Sequence, residues 1–546
     1  KEKNHDEFVM ETNQLVTTLH KRFESLQTQR SNIEQRWQEV ADYFLPRKAD
    51  IVRKRAAGQR KDQKIFDSTA QHAVELLAAN LHGTLTSPSV PWFAMRFRDK
   101  ALQQEDKLNE WLEICTAQMY QSLERSNFQQ EIHELYYDLV VFGTGALAIE
   151  KELGQELRFS ARHIAEIYIA ENHEGRVDTV FRKYELTARQ AEQKFGKENL
   201  SPRIKKSLDS NPLDKHNIIN VIYPRGDTGK TTAKDKPFAS IHYCFDTKYL
   251  MQESGYDSMV LATPRFTKDS SSVYGHSPAH TALADTMMVS KMGEIGIRAA
   301  QKQLDPPLMV PDDGYVLPVR TTPGALNFYR SGSRDRIEPL KTDANNLLQL
   351  NVEERRQEQI RRIFYVDQLL ASTNKTMTAT QTLQMQEERL RMLGPVLGRL
   401  QSELLQPLIS RTFELLLSQG ILPPAPDELQ GQDIDIEYVS PLAKAQKIGD
   451  LQNLVRGVEI MTQLAEVIPG ITDYIDNDGL VKYLVEVTGM PARVVRSDQE
   501  VAEMRKQQQE AAAAQQSQEQ EMQNSEQARN VAPLLQALQS GQGSAE

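Results

Sequence analysis

The sequence predicts an α+β fold that is predominantly helical and divided into several domains. Three observations carry this expectation. At 546 residues the chain exceeds what one hydrophobic core usually organises. Its N-terminal half mixes helix-spaced apolar positions with alternating apolar and polar runs, and its C-terminal third is helical almost throughout. Bulk composition, 39% hydrophobic and 26% charged, is that of an ordinary globular protein.

Residues 8–45 form the first expected helix: Leu15, Leu19, Phe23 and Leu26 recur at helical spacing, and Pro46 stops it. The basic, apolar-poor stretch 48–64 is a surface loop. Asp67 or Ser68 caps a helix to Leu85. A strand at Trp92–Phe97 and helices at 104–124 and 126–142 follow. Gly143-Thr144-Gly145 lacks a third glycine and follows a helix, so it reads as a helix C-cap turning into a strand at Ala146–Glu150, not as a dinucleotide site. Residues 157–185 are β-structure turning at Asn172–Gly175, and a short helix runs from Thr187 to Phe195. Strands recur at Asn217–Tyr223, at Ser240–Phe245 and near Val260.

From 273 onward the order of elements is the most informative feature. A helix starts at the turn Tyr274–Pro278, a Pro/Gly/Arg-rich insert follows, and a second helix starts near Asn346 and breaks at 371–377. A third begins at Thr378-Ala379-Thr380-Gln381, where Thr378 and Gln381 form a capping box. It runs through 379–419 with a kink expected at Gly394-Pro395. A proline-bearing linker, a short strand at Ile434–Val439 and helices near 441–468, 472–488 and 491–505 complete the chain. The Gln-rich tail permits either helix or disorder.

Charge and motifs exclude several function classes. The net charge of -10 argues against a conventional DNA-gripping module, which needs a basic surplus, but not against a surface that DNA passes without sticking. No run of about 18 apolar residues predicts a membrane span, and the charged start Lys1–Asp6 leads into no apolar signal core. Cys115 and Cys244 read as small buried hydrophobes in a reducing compartment. The Gly-Lys-Thr at Gly229-Lys230-Thr231 lacks the upstream glycine of a phosphate-binding loop, Pro224 standing in its place, and reads as a solvated hairpin loop. His276 and His280 straddle Pro278 and fit a turn and N-cap better than a metal pair. No catalytic centre, metal site or cofactor is expected.

Lys291, Arg298 and Lys302 lie within about 40° on a helical wheel; the stripe faces phosphate, bridges subunits, or is simply solvated. Val289, Gly293, Gly296 and Ala300 line a different face, suited to another helix. The insert gathers Arg320, Arg330, Arg334, Arg336 and Lys341, a basic foot on an acidic protein that suggests an intersubunit or external partner site.

Collinear segments, among them Trp37–Pro46, Asp67–Phe93, Asn127–Leu147, Gly175–Gly196, Tyr274–Met288, Asp305–Val310, Pro323–Tyr329 and Met377–Gln381, resemble the portal (head-to-tail connector) proteins of short-tailed phages. Gln381 stands where that pattern has Glu, which preserves the capping chemistry. The resemblance implies a ring, usually of twelve subunits, at one capsid vertex, with double-stranded DNA passing through its lumen. It implies terminase, tail adaptors, and major capsid and scaffolding proteins as partners, assembly in the host cytoplasm, and residence in the virion. It maps a wing onto 1–280, stem helices onto 281–303 and 346–370, a clip onto 304–345, a channel loop containing Lys375 onto 371–377, a kinked wing helix onto 378–420 and a crown with tail onto 421–546. Competing readings are a helical scaffold or adaptor and a P-loop ATPase using Lys230.

Overall fold

The computed structural model describes nearly all of residues 2–226 and 235–309, then 346–367 and 392–426, and scattered positions elsewhere, including 326, 338–339, 429, 436–438 and most of 500–511. Contacts divide the chain into two compact units, one of Lys1–Phe93 with Ala117–Pro424, the other of Ala94–Thr116 with Ala425–Glu546.

The centre of the first unit is a five-stranded antiparallel meander, β4 (Ile167–Glu171), β5 (Val177–Thr187), β6 (Lys215–Pro224), β7 (Phe238–Cys244) and β8 (Leu250–Tyr256), in that order. Alternation gives it two apolar faces. On one face, Val16, Leu19 and Phe23 of α1 (Glu2–Phe44) pack on Tyr168, Phe181, Ile219, Val221, Ile241 and Tyr243. On the other, α5 (Ala188–Phe195) and α6 (Pro202–Ser210) bury Ala191, Phe195 and Ile204 against Tyr184, Ile218, Cys244 and Met251. The expected short helix α5 starts at a capping box, with Thr187 and Gln190 exchanging hydrogen bonds. The helix α6 and the strand β8 were not anticipated, although Ser201-Pro202 is a legible start: Ser201 Oγ accepts from Ile204 N.

A smaller sheet joins β2 (Leu147–Glu152) to β3 (Gln155–Ala161) and β9 (Leu261–Ala262). It is fed by the expected turn: Gly143 ends α4 (Phe128–Phe142) in the left-handed conformation, φ 76°. The helices α1, α2 (Thr69–Leu85), α4, α7 (Pro278–Leu304) and α8 (Asn346–Ile363) pack on one another. Trp37 Nε1 donates to the Phe142 carbonyl, which fixes α1 to the end of α4. The segment carrying Lys230 lies between β6 and β7, whose antiparallel register ends at Pro224↔Phe238. The connection itself, residues 227–234, lies outside the described residues.

Two expectations need correction. The second stem helix does not run unbroken to 370: it turns at Phe364 and Tyr365, the latter at φ 60°. The turn lets Ile360, Phe364 and Val366 all be buried, which one straight helix face cannot do. Helix runs through Gly394-Pro395, and a π-helical turn follows at Gln401–Leu405, which leads into α9 (Gln406–Ser418). Pro407 explains the position, since it has no N–H for the carbonyl four residues back. Finally, Gly293 makes room for the backbone at Phe66 rather than for a neighbouring helix.

In the second unit, β1 (Met95–Phe97) pairs antiparallel with β12 (Ile436–Tyr438), in register Met95↔Tyr438 and Phe97↔Ile436. The strand expected at Ile434–Val439 is thus formed, and its pairing joins Ala94–Thr116 to the C-terminal region; the sequence reading had kept 1–280 and 421–546 apart. Both cysteines are buried free thiols, and burial pushes the Cys115 thiol up to about 12.

Candidate functional site: the two-helix stem and its anchor

α7 starts at a fixed point. Ser277 Oγ accepts from His280 N, while His280 Nδ1 accepts from Ser277 N, so a histidine takes the place of the usual Glu or Gln in a capping box, and Pro278 occupies the first turn. Ser277 Oγ also reaches the Val141 carbonyl at 2.8 Å. This settles His276 and His280 as turn and cap residues; they stack at 4.9 Å. Burial, then His276 and Arg36, push His280 down to about 3, so it is the neutral ring that holds the cap.

The segment before the cap is pinned against the end of α4. Gly275 N donates to Thr144 Oγ1 at 2.8 Å, and Phe266 N donates to the Gly143 carbonyl at 2.9 Å. Gly143 and Gly275 touch backbone to backbone: a Cβ at Gly275 would lie 2.1 Å from the Gly143 oxygen. Both positions therefore require glycine. Close by in the chain, Arg265, 2% exposed, pairs with Glu171 and with Glu403 at 2.7 Å, and donates to the Val273 and Gly175 carbonyls. One buried guanidinium thus ties the Asn172–Gly175 turn, the approach to α7 and the π-helical turn together.

Further along, Ser290 Oγ donates to the Lys64 carbonyl and accepts from Phe66 N, which stitches the loop before α2 to α7. Arg356 of α8 pairs with Asp285 of α7 at 2.7 Å, and Gln357 donates to Asp67 at 2.8 Å. The Asp67 carboxylate also accepts from Thr69 N at the start of α2, so the expected cap joins α8 to α2 as well. α7 and α8 are accordingly a bolted antiparallel pair. Their lower end carries a short ladder, β10 (Leu308–Met309) with β11 (Glu338–Pro339), which closes the insert at its base.

The basic stripe sits on the outer face of α7. Lys291 and Arg298 are exposed and share Glu294, at 2.8 and 2.7 Å; the Lys291 hydrogen bond leads in holding the Glu294 carboxyl below the usual range. Lys302 is exposed in the last turn, where the helix dipole favours a cation. The stripe is thus less basic than the three cations alone suggest. Glu294 was missed in the sequence, although its spacing, three residues after Lys291 and four before Arg298, announces the pairing. Asp285, Arg356 and Arg265 were missed because their partners are distant in sequence. Beside the stripe the same helix exposes Met287, Met288, Ile295 and Ile297. Arg320, Arg330, Arg334, Arg336 and Lys341 of the insert, Lys375, and the cap pair Thr378 and Gln381 lie outside the described residues.

Residues 16–495 match the family described as bacteriophage head to tail connecting protein. The probable portal protein of Bordetella phage BPP-1 is 31% identical over 500 residues, 89% of this chain and 90% of that protein. The portal protein of Salmonella phage epsilon15 is 30% identical over 506 residues, 90% of each. A match across this span, on a chain whose two bolted helices frame a basal insert, decides the question of kinship: the chain belongs to the bacteriophage head to tail connecting protein family.

Proposed function

We propose that this protein is the portal subunit of a short-tailed phage: a structural, non-enzymatic component that forms a ring at one capsid vertex, through which double-stranded DNA is packaged and ejected. The observation that carries the reading is the family match over 16–495, which spans most of the chain. The helix α7 supports it. In the single subunit Met287, Met288, Ile295 and Ile297 stand exposed around a charged stripe, an arrangement suited to neighbouring copies on either side of each stem pair.

In this reading 281–303 and 346–370 are the stem, 304–345 the clip, 371–377 the channel loop and 421–546 the crown with its tail. Lys291, Arg298 and Lys302 face DNA or a neighbouring subunit, and Lys375 faces the lumen. Arg320, Arg330, Arg334, Arg336 and Lys341 serve assembly or terminase docking. A ring of twelve, tail adaptors, and capsid and scaffolding proteins complete the set of partners. The acidic balance of the chain fits a conduit that DNA slides through, because each phosphate contact adds salt-sensitive affinity and would retard movement. Negative-stain electron microscopy of the purified protein tests the proposal. Closed rings with a central hole are expected; compact particles without a hole, at concentrations where the protein self-associates, refute it.

A further inference from the structure

The face of the meander that carries α5 and α6 changes character along its strands. Where the helices cover it, the inward residues are Ile218 and Cys244, both fully buried. Two positions on, the same face presents Asn220 on β6, and His242 and Ser240 on β7. Asn220 Nδ2 donates to Ser240 Oγ at 3.1 Å and lies 3.3 Å from His242 Nδ1, so the polar floor is internally braced. Burial, then Lys194 and Arg182, push His242 down to about 3, so this floor is neutral. A hydrophobic sheet interior would be the cheaper use of these positions if packing alone were at stake.

Above this floor is a cavity of about 580 Å³, walled by the β2–β3 hairpin, α5, β8 and α9. Its lining holds seven cations, Lys151, Arg158, Arg162, Arg182, Lys194, Lys236 and Arg411, against four acids, Glu150, Glu152, Asp257 and Glu414. Some pairs neutralise one another: Arg158 with Glu152, Lys236 with Asp257, and Arg411 with Glu414, Arg411 also donating to Ser258 Oγ. Four cations are left: Lys151, which is exposed, and Arg162, Arg182 and Lys194 beside the floor. Arg162 meets Glu150 only at 3.4 Å, and Arg182 has one contact to Glu166 while its guanidinium lies over Tyr184. Lys194 has a hydrogen bond to the Tyr184 hydroxyl and no carboxylate within bonding distance among the described residues. Desolvation, then Arg182, draws the Lys194 ammonium down to about 8, although by accessible surface the side chain is exposed to solvent.

We infer that this cavity binds a compact, phosphate-bearing small molecule, its anionic groups seated among Arg162, Arg182 and Lys194 and its neutral part on the Asn220–His242 floor. Three cations from three separate elements converge on one half-open cavity, a geometry that an oligophosphate satisfies by accepting several charge-assisted hydrogen bonds at once. The phosphates can come from an inorganic oligophosphate or from a nucleotide. The site lies in the wing and does not depend on the ring reading, so the test uses binding to the full-length protein irrespective of assembly.

Isothermal titration with inorganic triphosphate and, separately, with a nucleoside triphosphate provides that test. One site per subunit is expected. Lys194→Gln and Arg182→Gln should each weaken binding at least about tenfold, the scale of one lost charge-assisted contact, whereas Arg60→Gln, in the exposed loop, should not change it. Tighter binding of the nucleotide assigns the floor to its base or sugar, and equal binding assigns the site to the phosphates alone; both support the inference. No binding at millimolar ligand, or binding equally strong in Lys194→Gln and Arg182→Gln, overturns it. So does lysine acylation showing Lys194 shielded in assembled protein without ligand, since a neighbouring copy would then occupy the cavity.

Discussion

Replacing Gly275 by alanine probes the anchor from which the stem helix departs. The added carbon would sit 2.1 Å from the Gly143 carbonyl oxygen and 3.0 Å from the Arg265 Cβ and the Thr267 oxygen, where ordinary contacts begin at 3.4 Å. Most of the obstruction is backbone, so no rotamer relieves it, and the two segments must part by about 1.3 Å, the gap between 2.1 and 3.4 Å. Such a movement stretches the Gly275–Thr144 bond from 2.8 Å and the Phe266–Gly143 bond from 2.9 Å past useful length. It also strains the Thr267–His276 pair beside them. Losing two to four buried hydrogen bonds at ~1 kcal/mol each gives a destabilisation of ~2–4 kcal/mol. At ~2–4 °C per kcal/mol for a large domain, the unfolding midpoint should fall by ~4–16 °C. Thermal unfolding followed by tryptophan fluorescence measures this, because Trp37 lies edge-on to Tyr274 at 5.1 Å. Gly394→Ala serves as the control: nothing lies within 4 Å of its added carbon, and a helix position gains from alanine. If Gly275→Ala melts within 2 °C of the parent, the close approach does not hold the anchor and the reasoning fails.

Arg265→Met should cost ~1.5–3 kcal/mol by removing its charge-assisted bonds, since Glu171 keeps Lys268 and Glu403 keeps Arg399 as partners; the denaturant midpoint decides it, and one equal to the parent's refutes it. For His280, a folded-state value of about 3 against an ordinary 6.5 means that its contribution is complete above pH 6.5 and is lost as pH falls toward 3. At pH 5 that loss is ~2 kcal/mol, so His280→Gln, which keeps the capping box but cannot titrate, should flatten the stability profile between pH 6.5 and 5; an unchanged slope counts against the neutral-cap assignment. Lys375→Ala should leave ring yield on size-exclusion chromatography intact and alter packaged DNA per particle; lost rings with normal packaging would move this residue to a subunit interface.

The sequence by itself determined what is local. Apolar spacing placed α1, α3 (Asp106–Arg125), α4 and α7 within a few residues, and the Gly143 C-cap and the Ser277 cap were readable from residue order. Such features depend on neighbours three or four positions away, which any window of sequence contains. The order helix, insert, helix was likewise legible, because connectivity is written in the chain. Only the tertiary structure decided the rest. Arg265 finds Glu403 138 residues away, and Arg356 finds Asp285 71 residues away. The turn at Phe364–Tyr365 follows from which side chains can be buried together, not from local propensity. The cavity over Asn220 and His242 is the strongest case. Alternation alone predicts inward-facing residues there, but the convergence of Arg162, Arg182 and Lys194 requires β5, α5 and the end of β3 to meet across one sheet face, and fold topology rather than sequence spacing brings them there.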